Sequence, residues 1–195
     1  ALTALFVLPT TVFAKLPALF ESVRQLTIVE AGETVGTCTT GMINRGKAIW
    51  ITAEHCVPEG DFTFKIDDKP VFVYDRDVDN DMAVLLVPGV DAKALKLAKD
   101  APQVGDEVKI VGYPYGVGPM FMLGLMSATS ITSPWGQAYM FYAAAVCPGN
   151  SGSPVVNSRD ELISIHQIGL ERGCGGPKGG ATYAAVKAFV GPYMR

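Results

Sequence analysis

The stretch VCPGNSGSPV, residues 146–155, contains two glycines, two serines and two prolines around a single asparagine. Residues of these four types are preferred in tight turns because of their backbone conformations, so a turn alone explains the composition. Ser151 lies between Asn150 and Gly152, where it is also a candidate nucleophile. The choice between the two interpretations depends on which other side chains the chain supplies.

A serine hydroxyl needs a base to accept its proton near neutral pH, and imidazole is the suitable group. Histidine occurs twice: His55 closely follows the apolar run AIWITA in the motif TAEHC, whereas His166 lies inside the apolar run LISIHQIG. The base in turn needs a carboxylate that fixes its tautomer, and Asp81 directly precedes the apolar run MAVLLV. Three nearby aspartates are the rival candidates: Asp75, Asp77 and Asp79.

Short apolar or alternating runs recur along the chain between turn residues, which is typical of β-strands. The predicted strands are QLTIVEA, TVGTCTTGMI, AIWITA, FTFKI, VFVYD and MAVLLV, then EVKIVGY, MFMLGLMSATSI, AYMFYAAAV, SPVVN, LISIHQIG and ATYAAV. The pattern predicts an all-β chain in two six-stranded antiparallel halves that divide near residues 98–106. The run DAKALKLAKD is interpreted as a helical turn or linker, and AAVKAFVGPYM as a short C-terminal helix.

The composition narrows the class of protein. Of the 195 residues, 49% are hydrophobic and 18% are charged, which excludes a disordered chain. A net charge of -3 without a Lys/Arg cluster argues against nucleic acid as a partner. The four cysteines form no CxxC pair, so we predict neither a metal site nor a cofactor. An even number of separated cysteines is compatible with two disulfides in an oxidising compartment, with three pairings open.

The first residues, ALTALFVLPTTVFAKLP, form an apolar run that ends in Val-Phe-Ala before Lys15. We expect residues 1–24 to be an N-terminal segment similar to the apolar region and cleavage site of a secretory signal peptide. A buried strand or helix packed on the domain, or a membrane segment of a viral or membrane-associated polyprotein, are the alternatives. No run elsewhere reaches the roughly 20 apolar residues of a membrane-spanning helix.

The motifs TAEHC, DMAVL and GNSGSP, in this order, resemble those of chymotrypsin-fold (trypsin-like) serine proteases, from about residue 35 to residue 186. The resemblance implies two six-stranded antiparallel β-barrels, with a protease domain over residues 25–195. Barrel 1 is then expected over about 25–100, barrel 2 over about 101–185 and a C-terminal helix over about 184–191. It also implies His55 as the general base, Asp81 as its orienting partner and Ser151 as the nucleophile. The backbone NH groups of Gly149 and Ser151 correspond to the oxyanion hole.

The family resemblance also assigns the cysteines. It pairs Cys38 with Cys56, which directly follows His55, and Cys147 with Cys174 in the loop beyond the substrate-binding strand. Asn150 stands where trypsins carry an aspartate that pairs with a newly formed amino terminus. We therefore expect the nucleophile loop to be competent without an inserted chain terminus.

The segment GNSGSPVVNSRDELISIHQIG is similar to that of glutamyl endopeptidases, in which a histidine at the place of His166 binds the acidic side chain of the substrate. We assign Gln167, beside it, to the same substrate-binding set. Ala145 occupies the pocket-floor position, where trypsins carry an aspartate, so selection of Lys or Arg is not expected. Val146 replaces a hydroxyl residue of the glutamyl endopeptidases. We expect Glu or Gln at P1, followed by small or medium apolar side chains.

The residues thus predict a secreted serine endopeptidase that acts on polypeptides. An α/β-hydrolase is disfavoured, because that fold orders its triad as Ser, acid, His, and because Ser153 replaces the last glycine of GxSxG. The remaining alternative is a catalytically inactive binding or regulatory domain on the protease fold.

Overall fold

The structure, a computed structural model, describes residues 18–195. The first sheet has the strand order β5-β4-β1-β2-β3-β7-β6. Its strands are β1 (Val23–Glu30), β2 (Glu33–Asn44), β3 (Ile49–Thr52), β4 (Phe62–Ile66), β5 (Lys69–Pro70), β6 (Phe72–Asp77) and β7 (Met82–Leu86). All neighbours in this sheet are antiparallel.

The second sheet has the order β12-β9-β10-β11-β14-β13-β8, and an additional pairing of β12 with β13 closes it into a barrel. Its strands are β8 (Lys96–Leu97), β9 (Glu107–Gly112), β10 (Met120–Thr132), β11 (Ala138–Ala143), β12 (Pro154–Val156), β13 (Glu161–Gly169) and β14 (Lys178–Ala181). The helix α1 (Tyr183–Val190) follows. Short 3₁₀ helices are Ala18–Ser22, Glu54–Cys56, Pro114–Gly116 and Gly191–Met194.

The prediction of an all-β fold with two barrel-like halves and a short C-terminal helix is confirmed. Each half has six longer antiparallel strands and one strand of two residues, β5 in the first sheet and β8 in the second. The β8 strand pairs parallel to β13. It falls within DAKALKLAKD, so this run is an extended connection between the halves and not a helical turn.

One predicted strand was wrong. The run ATYAAV was expected to be a strand, but Thr182 is the N-cap of α1 and its side chain accepts a hydrogen bond from the Ala185 backbone NH, so Tyr183 to Val186 are helical. The last strand, β14, instead begins three residues before this run, at Lys178, and ends at Ala181. Its two central glycines are poor strand formers, which hid this strand in the sequence.

Three apolar clusters fill the fold. One lies inside the first sheet and includes Trp50, and another lies inside the second sheet and includes Met140. The third lies between the sheets and α1. Leu19 and Val23 are buried in this third cluster, so the structure places the end of the predicted N-terminal segment in the core. Residues 1–17, on which the signal-peptide prediction depends, lie outside the described residues.

None of the helices in residues 18–195 is long and apolar enough to cross a membrane.

Candidate active site

His55 and Asp81 are in direct contact. The Nδ1 atom of His55 lies 2.8 Å from Oδ2 of Asp81, and the backbone NH of His55 donates to Oδ1 of the same carboxylate at 2.9 Å. His55 lies in the 3₁₀ helix that follows β3, and Asp81 lies directly before β7, which pairs with β3. The pairing of two adjacent strands therefore brings the two residues together across 26 positions of sequence.

The rival aspartates have other contacts. Asp75 accepts a hydrogen bond from the Tyr193 hydroxyl, and Asp77 accepts from both the backbone NH and the side-chain amide of Asn80. Asp79 is exposed. Asp81 has a left-handed backbone conformation (φ 48°), which Asp tolerates at the end of a turn. The turn between β6 and β7 therefore presents only Asp81 to His55.

The nucleophile loop is held between the two sheets. The carbonyl of Ser151 accepts from the NH of Thr39 on β2 at 2.8 Å, and the NH of Gly152 donates to the carbonyl of His166 on β13 at 2.8 Å. Gly152 has φ +83°, and a Cβ there would lie 2.1 Å from Oγ1 of Thr52 and 2.2 Å from the carbonyl oxygen of Thr39. Only glycine fits this position, which explains the second glycine of GNSG in physical terms.

Gly149 and Ser151 each supply a backbone NH group to this loop. Neither donates a hydrogen bond to an acceptor within residues 18–195. The carbonyl of Pro148 accepts from the NH of Tyr115 at 2.7 Å, and because the two groups of a trans peptide point in opposite directions, this contact directs the NH of Gly149 away from Tyr115. Asn150 is fully buried, and its side-chain amide donates to the carbonyl of Cys147 within the same loop.

A pocket of about 470 Å³ opens beside Ser151. Its walls come from the nucleophile loop, the end of β13, the loop that follows it and the start of β14. The lining residues include Val146, Pro148, Ser151, His166, Gln167, Gly169, Glu171, Arg172 and Lys178.

Ala145 is exposed and does not line this pocket, in contrast to the assignment to its floor. The NH of Val146 donates to the carbonyl of Ala144 at 2.9 Å. This tight i→i+2 turn has Ala145 at its apex, so Ala145 projects to the surface while Val146 is buried and lines the pocket.

His166 forms a buried pair with Tyr142 on β11. The hydroxyl of Tyr142 lies 2.7 Å from Nδ1 of His166, and both side chains are buried. Burial raises the pKa of Tyr142 well above its usual value, so the hydroxyl keeps its proton and can donate it to Nδ1. In that arrangement the proton of the neutral ring is on Nε2. Burial, and then the positive charge of Lys178, lower the pKa of His166 to about 3. His166 is therefore neutral at physiological pH.

The neutral state of His166 predicts an acid-sensitive fold. In the unfolded chain this imidazole is protonated with a pKa near 6.5, whereas in the folded protein its pKa is about 3. The stabilisation is thus complete above pH 6.5 and is lost as the pH falls towards 3. We expect the free energy of unfolding to drop by about 2 kcal/mol between pH 6.5 and 4.5, before most carboxylates titrate. Urea titrations at several pH values measure the free energy of unfolding of the wild type and of His166→Gln. An equal pH dependence of this free energy in the two proteins would contradict the prediction.

Gln167 connects the pocket to Asp81. Its side-chain amide donates to the backbone carbonyls of Asn80, at 2.5 Å, and Asp81, at 2.7 Å. The residue lines the pocket, as expected for the substrate-binding set, but its NH₂ group is already occupied by the turn that carries Asp81. A strand of the second sheet thereby supports the turn of the first sheet that carries Asp81.

Both implied disulfides are present, Cys38–Cys56 and Cys147–Cys174. The first lies against His55 and the second joins the nucleophile loop to the loop after β13. Cys38, His55 and Cys56 place possible ligand atoms within 4.8 Å of one another. Because a cysteine binds zinc as a thiolate, and Cys38 and Cys56 are joined in a disulfide, this group does not fit a metal.

Sequence reasoning missed Tyr142 and Lys178. Lys178 is 1% exposed, although it carries a charge, and it lines the pocket beside His166. One feature of the sequence could have indicated Lys178. It directly precedes two glycines, and no other charged residue occurs between it and Lys187. Tyr142 carried no such signal, because a tyrosine in an apolar strand is an ordinary core residue.

Known proteins share this architecture. The active form of the Rv3671c protease from M. tuberculosis superposes with a TM-score of 0.75 at 20% identity, covering 89% of this chain and 81% of that one. The HtrA-type protease AlgW with tripeptide gives a TM-score of 0.76 at 21% identity, covering 90% of this chain and 60% of that one. At these identities the likeness establishes the chymotrypsin-like fold.

Sequence comparison gives the family. Serine endoprotease DegS of Escherichia coli (strain K12) is 29% identical over 148 residues, covering 71% of this chain and 41% of that protein. Protease Do-like 2, chloroplastic, of Arabidopsis thaliana is 35% identical over 139 residues, covering 64% of this chain and 22% of that protein. The chain thus spans less than half the length of these curated relatives. The model of the trypsin-like peptidase domain matches residues 38–165, and the chain belongs to this family of serine proteases.

Proposed function

We propose that the protein is a serine endopeptidase that hydrolyses peptide bonds with His55, Asp81 and Ser151 as its catalytic triad. The observation that carries the proposal is the contact of His55 with Asp81, in which one carboxylate accepts from both the backbone NH and the Nδ1–H of His55. This arrangement holds the tautomer whose Nε2 is basic. An inactive domain is disfavoured, since the pair and both oxyanion NH groups are retained.

In the proposed reaction Oγ of Ser151 forms a bond to the carbonyl carbon of the scissile peptide while its proton passes to Nε2 of His55. The negative charge of the tetrahedral intermediate resides on the former carbonyl oxygen, which accepts from the NH groups of Gly149 and Ser151. The C–N bond then breaks and the amine leaves with the proton from His55. Water, deprotonated by His55, releases the acyl group and restores Ser151.

We assign the pocket beside Ser151 to the P1 side chain, with a preference for Glu or Gln. His166 supports this assignment, because its neutral ring lines the pocket and carries a proton on Nε2 when Tyr142 donates to Nδ1. The resemblance to glutamyl endopeptidases supports it from sequence. Neither Ala145 nor Val146 carries a carboxylate. These two positions therefore offer no negative charge that would attract a Lys or Arg side chain at P1.

A peptide library varied at P1 tests this function. We expect cleavage after Glu or Gln to exceed cleavage after small apolar residues by at least about tenfold, because the loss of a polar partner in a buried site costs about 1–3 kcal/mol. His166→Ala should remove this preference while Ser151 still reacts with a fluorophosphonate. Cleavage after other residues with an unchanged preference in His166→Ala would contradict the P1 assignment, and absence of all cleavage would contradict the endopeptidase.

The two disulfides support a site of action in an oxidising compartment, such as the cell exterior. They close two different walls of the proposed catalytic cleft, one behind His55 and one beside the pocket.

A further inference from the structure

Lys178 carries a buried charge without an anionic partner. The residue is 1% exposed, and its ammonium donates one hydrogen bond within residues 18–195, to the carbonyl of Gly173 at 3.1 Å. It forms no ion pair with a carboxylate of these residues. An ammonium that is shielded from water is unfavourable unless an anion and hydrogen bonds compensate, and the carbonyl of Gly173 satisfies one of its three donors.

The ammonium lies at the pocket and not in the core. A Cβ on Gly169 would lie 3.0 Å from Nζ of Lys178, so the missing side chain at this position leaves room for the ammonium. Gly169 pairs with Lys178 across β13 and β14, and both line the pocket that contains Ser151 and His166.

None of the charged or titratable groups at the pocket forms an ion pair with the ammonium of Lys178 within residues 18–195. Glu171 is exposed, and its carboxylate lies against Gly175 and Gly176 of its own loop. Its charge favours the ammonium only partly, because burial still lowers the pKa of Lys178 overall. His166 is neutral and offers no negative charge, and Arg172, also at the pocket, is a cation.

We propose that Lys178 is a further specificity-determining residue of the P1 pocket, beside His166, and that it binds the carboxylate of a substrate glutamate. This inference rests on the proposed endopeptidase function. It narrows the expected P1 preference from Glu or Gln to Glu. A carboxylate supplies the missing anion and can also accept from Nε2 of His166. The amide of glutamine can accept as well, but it leaves the ammonium without a counter-charge.

The experiment compares kcat/KM for two matched peptides that differ only in Glu or Gln at P1, with a third peptide carrying Ala. We expect the wild type to prefer Glu over Gln by at least about tenfold, since the amide of Gln leaves the ammonium of Lys178 without a counter-charge. Lys178→Met keeps the length of the side chain and removes the charge. It should lower kcat/KM for the Glu peptide by about 100-fold, with the Ala peptide within about threefold of the wild type.

Lys65→Met is the matched control, since Lys65 is exposed on β4 of the first sheet and does not line the pocket. It should retain the wild-type ratio. Fluorophosphonate labelling of Ser151 reports whether each variant keeps a competent nucleophile.

The outcomes separate this inference from the proposed function. A wild type that cleaves peptides but does not prefer Glu over Gln overturns the role of Lys178 and leaves the endopeptidase standing. An equal loss for all three peptides in Lys178→Met shows that Lys178 only supports the loop through Gly173, and overturns the role too. A wild type that neither cleaves nor labels refutes the proposed function itself. A wild type without a preference for Glu over Gln overturns the role of Lys178 even if Lys178→Met does not fold.

Discussion

Ser151→Ala is expected to lower kcat for a peptide substrate by roughly 10⁵- to 10⁶-fold, the scale on which loss of a triad nucleophile acts. The substitution removes one oxygen atom from a loop whose backbone contacts, from Ser151 to Thr39 and from Gly152 to His166, do not involve that atom. The fold should therefore be retained, and a residual rate above that of water should remain from the oxyanion NH groups and substrate binding.

Ser153 supplies a matched control two residues away. Its side chain is fully buried, and Oγ has no hydrogen-bond partner within residues 18–195. Ser153→Ala should thus leave kcat within about twofold, since no hydrogen bond is lost. A fluorophosphonate should label the wild type and Ser153→Ala at one site each and should not label Ser151→Ala. Retained hydrolysis or labelling in purified Ser151→Ala would show that GNSG is an ordinary turn.

The sequence predicted those parts of the molecule that depend on local pattern. Eleven of the twelve apolar or alternating runs proposed as strands correspond to strands, and the run FTFKI has the bounds of β4. The exception, ATYAAV, contains a strand end and a helix start within six residues, and Thr182 between them is the cap that separates the two. A run this short cannot distinguish β14 from α1 by its period.

The site was predictable only in part, because much of it depends on contacts distant in sequence. The preference for Asp81 over its rivals followed from its place directly before β7, and the structure places its carboxylate on His55. The contact of Gln167 with the Asp81 carbonyl joins the two sheets across 86 positions, and no local pattern encodes it. Ala145 was misplaced for a related reason, since one i→i+2 turn decides which neighbouring residue faces the pocket.

Asp81→Asn is the second substitution with a large expected effect, a decrease of kcat by about 10⁴-fold. The carboxylate accepts two hydrogen bonds from His55, from the backbone NH and from Nδ1. An asparagine has one acceptor oxygen, so its NH₂ group must face either the backbone NH or Nδ1. If it faces Nδ1, it donates to that atom and favours the tautomer whose proton is on Nε2, which is the nitrogen that must accept the proton of Ser151. If it faces the backbone NH, two donors oppose each other and His55 loses its fixed position.

Steady-state kinetics on the P1 peptides measure this effect, with Asp79→Asn as the control two residues upstream. Asp79 is exposed and its side chain makes no hydrogen bond within residues 18–195, so its replacement should change kcat by no more than about twofold. The support of the Asp81 turn by Gln167 uses backbone carbonyls, which the substitution leaves in place, and the melting temperature of Asp81→Asn should stay close to that of the wild type. A wild-type kcat in Asp81→Asn, or an equal loss in Asp79→Asn, would mean that the contact with His55 only stabilises the 3₁₀ helix and that the acid of the proposed triad lies elsewhere.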